Sequence, residues 1–157
     1  MKLIPAYMTR IKETSCGGIV YRKTSQGQVQ VLLLEWRNKR GFSKYVLPKG
    51  HMEETETAQE TALREICEET GLPASELEMV KFVTKMTLSF IANNIEWAPI
   101  IDKDVYIFLV KHKGNSEPKP QLSERFFGYR WFPVAEIPGL DVKPDIYEIM
   151  RQNEIYL

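Results

Sequence analysis

The amino-acid sequence predicts an α/β fold. Along the chain, β strands come both before and after one central helix, and a second helix follows the last strand. Runs of β-branched and aromatic residues indicate strands at Ser15–Arg22, Val29–Trp36 and Asp104–Lys111. Between them, a helical pattern ends at Gly71, a residue suited to the left-handed conformation after a helix. In Asp145–Asn153 the apolar residues recur on one helical face.

Composition sets limits on the class of protein. A chain of 157 residues is long enough for one domain with a hydrophobic core, so we expect residues 1–157 to form a single domain. The 21 basic residues balance the 21 acidic ones, which argues against general nucleic-acid binding but allows a local basic pocket. The cysteines are Cys16 and Cys67, and the segment MKLIPAYMTRIK has no apolar signal-peptide core. We therefore expect a reduced, cytoplasmic protein with no membrane contact.

The first two strands, joined by the turn Thr24–Gly27, predict a β hairpin. Gly17 and Gly18 in the first strand indicate a bulge or the close approach of another backbone or a ligand. The segment Arg37–Lys44 follows with four basic residues in eight. It is either a solvated loop or a rim that attracts phosphate.

The most acidic segment of the sequence is Gly50–Leu72. Its Glu65, Glu68 and Glu69 are spaced i, i+3, i+4 and fall within roughly 100° of one helix face. Like charges at this spacing repel each other, and a hard divalent cation would remove that cost. The alternative is a solvated acidic face.

The other side chains of this helix predict how it packs. Leu63, Ile66 and Cys67 are expected to face a sheet. Ala58 and Ala62 are expected on the acidic side, where small residues would leave room for a metal ion and a ligand.

The same segment resembles the Nudix box. Nine specified positions over 23 residues match it, namely Gly50, Glu56, Arg64, Glu65, Ile66, Glu68, Glu69, Gly71 and Leu72. The resemblance implies a Nudix fold, a mixed β-sheet sandwiched between the box helix and a C-terminal helix. It also implies a metal-dependent hydrolase that splits a nucleoside diphosphate linked to another group, using Mg²⁺ or Mn²⁺. An intact box without catalysis, in a nucleotide-sensing module, is the alternative.

The resemblance also implies roles for particular residues. Glu65, Glu68 and Glu69 would bind metal and activate water, and the Gly50 carbonyl would add a metal contact. Glu56 would pair with Arg64 and hold the geometry of the loop and helix.

Residues 47–51, LPKGH, resemble the diadenosine tetraphosphate hydrolase branch of the family. The resemblance makes Lys49 and Lys103 candidates for phosphate binding. His51 is a further substrate-binding candidate, with an ordinary surface histidine as the alternative, and Arg37 is one because it belongs to the basic segment Arg37–Lys44. Tyr106 is a candidate for base contact, although the position that tends to carry the base-contacting tyrosine in that branch is Ile107 here.

The second half of the chain contains less certain elements. Leu77–Leu88 and Gly128–Pro133 predict strands, and Val134–Ile137 a short helix. The stretch Phe90–Asp102 is ambiguous, and Trp97 is expected in the core rather than on a base-stacking face.

One departure from the branch concerns an auxiliary carboxylate. The sequence Tyr129–Trp131 resembles the branch, but the glutamate expected six residues before Trp131 is replaced by Arg125. Either the neighbouring Glu124 supplies that carboxylate as a metal ligand or base, or it is missing.

The resemblance to this branch implies hydrolysis of diadenosine tetraphosphate to ATP and AMP. Nucleoside triphosphates, nucleotide sugars and RNA 5′ ends are the alternative substrates. The expected partner is a nucleotide small molecule.

Overall fold

The computed structural model describes residues 9–140 and 142–155. Its strands are β1 (Arg10–Lys23), β2 (Val29–Arg37), β3 (Ser43–Val46), β4 (Lys49–His51), β5 (Leu77–Ile91), β6 (Ile100–His112) and β7 (Phe126–Pro133). Its helices are α1 (Ala58–Thr70) and α2 (Ile146–Gln152), with 3-10 turns at Ala74–Glu76, Leu122–Glu124 and Val134–Gly139. The first eight residues, on which the expectation about a signal peptide mainly depends, lie outside the described residues. Within the described residues no helix is long and apolar enough to cross a membrane.

The strands form one mixed sheet in the order β3-β2-β1-β6-β5, with β4 paired to β1 and β7 paired to β2. The central pair, β1 and β6, is parallel, and the other pairs are antiparallel. The predicted hairpin is present as β1 and β2.

Each face of the sheet is covered by a helix. On one face, Ile19, Leu33 and Ile107 pack with Ile146 and Met150 of α2. On the other face, residues of β1, β2 and β6 pack with α1, as in the cluster of Val20, Leu32, Val110, Ala62 and Ile66. Burying one such aliphatic side chain contributes roughly 1.5–3 kcal/mol. This arrangement confirms the predicted mixed sheet between the box helix and a C-terminal helix.

Helix α1 begins and ends at residues whose chemistry favours those positions. The Thr57 hydroxyl accepts a hydrogen bond of 3.2 Å from the Glu60 backbone N–H, which satisfies a free donor of the first turn. Gly71 follows the helix with φ of 75°, the left-handed conformation that glycine adopts without cost. The end at Gly71 agrees with the sequence prediction.

Strands β5 and β6 are longer than predicted and include five of the thirteen residues of the ambiguous stretch Phe90–Asp102, at its two ends. The turn between them exposes Trp97, whose exposed fraction is 44%, so the expectation that it belongs to the core is wrong. β5 is an edge strand with mostly exposed side chains, and it therefore lacks the regular alternation that marks a half-buried strand.

The backbone approach predicted at Gly17 involves the chain itself. β4 pairs with β1 through Ser15, Cys16 and Gly17, and a Cβ on Gly17 would overlap the Pro48 carbonyl and Lys49. This close contact holds β4 against β1, at the part of the sheet next to helix α1.

Candidate active site

The acidic trio of helix α1 is divided between two environments. Glu65 and Glu69 are 8% and 5% exposed, whereas Glu68 is exposed. Ala62 is fully buried beside Ile66, so the side expected to leave room for a ligand packs on the sheet instead. The helical spacing is as predicted. However, the buried side of the helix includes Glu65 and Glu69, whereas Leu63 and Cys67, which were expected to face the sheet, are only partly buried.

Strand β4 contacts the buried carboxylates. The Lys49 backbone N–H donates a hydrogen bond of 2.9 Å to Glu69 Oε2. Gly50, the next residue, lies directly against the Glu65 side chain.

Arg64 connects the box loop to the helix. Its Nε donates to Glu56 Oε2 at 2.6 Å and its Nη2 donates to the His51 carbonyl at 2.9 Å. The hydrogen bond from Arg64 lowers the pKa of Glu56 from 4.5 to about 2. The structure thus contains the expected Glu56–Arg64 pair. Arg64 Nη1 also donates to Glu65 at 2.8 Å and to Glu68 at 3.2 Å.

A cavity of about 390 Å³ is formed by residues of β1, β4, β6, α1 and the 3-10 turn at Leu122–Glu124. It is lined by Ser15, Lys49, Gly50, His51, Glu65, Glu69, Lys103 and Glu124. Most of the predicted site residues therefore lie at one place, although they are distant in sequence. Acidic and basic side chains share this cavity, a combination suited to binding a metal ion together with phosphate.

The charges in the cavity act strongly on one another. Burial, with the negative charges of Glu65 and Glu124, raises the pKa of Glu69 to about 8 although it accepts the Lys49 N–H. Burial also raises the pKa of Glu65, and the charges of Glu68 and Glu124 add to the effect. Burial lowers the pKa of Lys49, as do the nearby charges of Lys103 and Lys44. The cavity thus contains a group of carboxylates that repel one another and a group of lysines that repel one another.

The donor set fits a hard divalent cation in chemical type. Within the described ranges 9–140 and 142–155, no three acidic, histidine or cysteine side chains converge as a preformed metal site. Arg64 takes the place of a cation against Glu65 and Glu68. However, Glu65, Glu69 and Glu124 line the same cavity. The raised pKa values of Glu65 and Glu69 mean that their ionised forms are disfavoured there, and a bound cation would stabilise those forms.

The structure answers the question of where Glu124 lies. Glu124 lines the cavity, whereas the Arg125 guanidinium points away and donates to the carbonyls of Arg37 and Asn38. Of the remaining substrate candidates, His51 and Lys103 line the cavity.

Arg37 and Tyr106 are not among the residues that line it. Arg37 pairs with Glu35 at 3.0 Å at the end of β2. Tyr106 packs near Phe82 on the sheet face that α1 covers, because side chains alternate along β6 and Lys103 faces the opposite way. Arg37 and Tyr106 therefore lie outside this cavity, and their contact with substrate stays a prediction.

Sequence reasoning missed Ser15. It is 1% exposed, lines the cavity, and its hydroxyl has no hydrogen-bond partner among the described residues. A serine in a strand carries no sequence signal of its own. Only the pairing of β1 with β4, which sets Ser15 opposite His51, brings it to the site.

Comparison with known proteins identifies the family. The model of the NUDIX domain matches residues 13–152, which include every residue named in the cavity. The chain belongs to the Nudix family. It is accordingly a Nudix pyrophosphohydrolase, with its box in β4, α1 and the loop between them.

Several Nudix relatives are similar over most of the chain. The asymmetrical bis(5′-nucleosyl)-tetraphosphatase of Rattus norvegicus is 32% identical, covering 91% of this chain and 94% of that protein. The "putative mutator protein MutT4" of Mycobacterium tuberculosis is also 32% identical over 84% of this chain, which spans half of that protein's length. Among solved structures, a binary complex of the Caenorhabditis elegans Ap4A hydrolase has a TM-score of 0.68 at 20% identity, covering 90% of this chain and 95% of that one.

Proposed function

We propose that the protein hydrolyses dinucleoside polyphosphates, with diadenosine tetraphosphate cut asymmetrically into ATP and AMP. The observation that carries the proposal is the cavity in which Glu65, Glu69 and Glu124 face Lys49 and Lys103. A tetraphosphate chain carries several negative charges. To bind in this cavity it needs a metal cation between it and the carboxylates, and ammonium groups that contact its other phosphates. The relatives named asymmetrical tetraphosphatases, similar over nearly their full length, support this substrate over shorter ones.

The carboxylates would hold Mg²⁺ or Mn²⁺. Glu65, Glu69 and Glu124 are the ligands that the cavity favours, together with the exposed Glu68 and the Gly50 carbonyl. When bound, such an ion supplies neutralisation of phosphate charge and acidifies water. Arg64 and Glu56 keep β4 and α1 together, which fixes the direction in which the carboxylates point.

The reaction needs a water molecule and one acceptor for its proton. The water oxygen forms a bond to a phosphorus of the polyphosphate chain, and the P–O bond of one anhydride breaks. The electron pair of that bond leaves with the departing nucleotide, and a cavity carboxylate takes the proton from water. Lys49 and Lys103 orient the chain and balance the charge on its phosphate oxygens.

Base recognition is less specific than phosphate recognition. Ile107 is fully buried in the core and offers no ring to adenine. The enzyme is therefore expected to recognise the polyphosphate more strongly than the base, and to accept other bases in the dinucleotide.

A substrate panel tests the proposal. We expect kcat/KM for diadenosine tetraphosphate to exceed that for ATP, a nucleotide sugar, ADP-ribose and a 5′-triphosphorylated RNA, with products separated by chromatography. ADP-ribose is included because the NUDIX domain of Shewanella oneidensis NrtR, a structurally similar protein, was solved "complexed with ADP ribose". A preference for any competitor, or two ADP as products, overturns the proposed substrate. Tight binding without turnover would instead assign a sensing module.

A further inference from the structure

The connection between β6 and β7 delivers Glu124 to the cavity by its backbone alone. Glu124 ends a 3-10 turn in which its N–H donates to the Gln121 carbonyl at 3.2 Å. Among the described residues, no hydrogen bond or ion pair holds its side chain. The direction of this carboxylate therefore depends on what holds the backbone on either side of it.

Arg125 supplies that hold. Its backbone has φ of 69°, the left-handed conformation that a non-glycine residue adopts only where its surroundings impose it. Its Nε donates to the Arg37 carbonyl at 2.6 Å and its Nη2 to the Asn38 carbonyl at 2.8 Å. In return, the Arg125 carbonyl accepts the Arg37 N–H at 3.1 Å. Three hydrogen bonds thus fasten the residue next to Glu124 onto the turn between β2 and β3.

The turn to which Arg125 is fastened is itself well ordered by hydrogen bonds. The Asn38 side chain accepts from the backbone N–H groups of Arg40 and Phe42 at 2.9 and 3.0 Å. The Asn38 N–H donates to the Phe42 carbonyl at 2.9 Å. This side-chain closure of a turn by asparagine gives Arg125 a fixed point of attachment.

We propose that Arg125 is a positioning residue that acts through Glu124. By holding the backbone in its left-handed turn, Arg125 directs the Glu124 carboxylate toward Glu65 and Glu69, where a metal ion would bind. The proposal rests on the proposed function in one respect, since it takes Glu124 as a metal ligand. It explains how this chain keeps an auxiliary carboxylate although an arginine stands at the position where the branch tends to have glutamate.

The test compares variants at Glu124, Arg125 and Arg130 with the wild type by two measurements. The metal-free protein is titrated with Mn²⁺ by calorimetry, and kcat is determined. Arg125→Asn removes both side-chain hydrogen bonds but tolerates the left-handed backbone. Glu124→Gln removes the ligand, and the double variant combines them. Arg130→Asn, which removes an arginine from the neighbouring strand β7, is the matched control, because Arg130 pairs with Glu136 and does not line the cavity.

Loss of a group that orients a metal ligand typically weakens metal affinity by about 10–100-fold. We expect Glu124→Gln and Arg125→Asn each to weaken Mn²⁺ binding by about tenfold, and the double variant to be no weaker than Glu124→Gln alone. Arg125→Lys, which keeps the charge and one donor, should recover part of the affinity. The Arg130→Asn control should bind Mn²⁺ as the wild type does.

Three results would overturn the proposal: wild-type Mn²⁺ affinity in Arg125→Asn, wild-type affinity in Glu124→Gln, or fully additive losses in the double variant. Additive losses would mean that Arg125 affects the stability of the fold or the binding of Mn²⁺ independently of Glu124. If Arg125→Asn does not fold, Arg125→Lys decides by the same comparison with and without Glu124→Gln. Failure of the proposed function is seen separately, as a wild-type protein that binds Mn²⁺ but turns over no dinucleoside polyphosphate.

Discussion

Gly50 and Glu65 lie so close together that a Cβ on Gly50 would overlap the Glu65 carboxylate. Glycine at this point of the box is thus required by the space that the carboxylate occupies. Because Gly50 pairs with Cys16 of β1 and Glu65 belongs to α1, their contact also sets the distance between strand and helix.

Gly50→Ala is expected to displace Glu65 from the cavity. Inserting a methyl group into a packed site costs typically about 1–3 kcal/mol, so the free energy of unfolding should fall by that order. Activity should fall as well, because Glu65, a proposed metal ligand, moves. Chemical denaturation and kcat measure the two effects. The double variant Gly50→Ala/Glu65→Ala should regain stability without regaining activity, and a double variant as unstable as the single one would contradict this explanation.

Glu69→Gln removes the charge of the most buried carboxylate but keeps an oxygen to accept the Lys49 N–H. If its charge stabilises the transition state through a metal by about 4 kcal/mol, kcat falls by roughly a thousandfold. Circular dichroism should show an unchanged fold. Glu68→Gln, at an exposed site of the same helix, is the comparison for a ligand that is not buried. A Glu69→Gln variant within twofold of the wild type would show that Glu69 is not a ligand.

Divalent metal should stabilise the folded protein. A ligand that binds only the native state adds about 2.7 kcal/mol at a concentration of 100 times Kd, which corresponds to roughly 5–10 °C in Tm for a chain of this size. We expect Mn²⁺ to produce such a shift, and a chelator to reverse it and abolish turnover. The shift should be lost in Glu69→Gln. Full activity in excess chelator would refute the requirement for metal.

Acid should remove the contribution of Glu56 to stability. Arg64 lowers the pKa of folded Glu56 to about 2 from 4.5, so the ionised form stabilises the native state above pH 4.5. That stabilisation is lost as the pH falls from 4.5 toward 2. Glu56→Gln should therefore have a lower Tm than the wild type at pH 7, and the difference should shrink as the pH is lowered through this range. Glu54→Gln, from the same loop, serves as the control. A pH-independent difference would assign the effect to packing.

Ser15→Ala is expected to leave the protein as stable as the wild type or more stable. The Ser15 hydroxyl is buried without a hydrogen-bond partner among the described residues, and an unsatisfied buried polar group costs about 1–3 kcal/mol. Thermal denaturation of the metal-free protein measures the change. A lower Tm would show that the hydroxyl has a partner, such as an ordered water in the cavity.

Local chemistry explains which parts of the molecule could be predicted from the sequence. Helix α1 was predictable because Gly71 and the carboxylate spacing act within the helix itself. The division of the trio was not, because spacing alone does not tell which side of a helix packs on the sheet. Ala62 was misplaced for the same reason.

Other features depend on contacts between distant segments. Ser15 and Lys103 reach the cavity through the pairing of β1 with β4 and β6. The position of Glu124 depends on hydrogen bonds between Arg125 and the turn at Asn38. No pattern within either segment encodes these contacts, so only the structure could reveal them.

The parallel pairing of β1 with β6 has a consequence for the order of folding. Its twelve residue pairs run from Arg10 with Ile100 to Tyr21 with Lys111, and each pair joins positions about 90 residues apart. Closing such a large loop costs entropy before the contacts repay it, and long-range pairing slows folding. During synthesis, the hairpin of β1 and β2 can form early, but the centre of the sheet must wait until nearly three quarters of the chain has been made. A chain that stops before β6 therefore lacks the strand that joins β5 to β1 and the rest of the sheet.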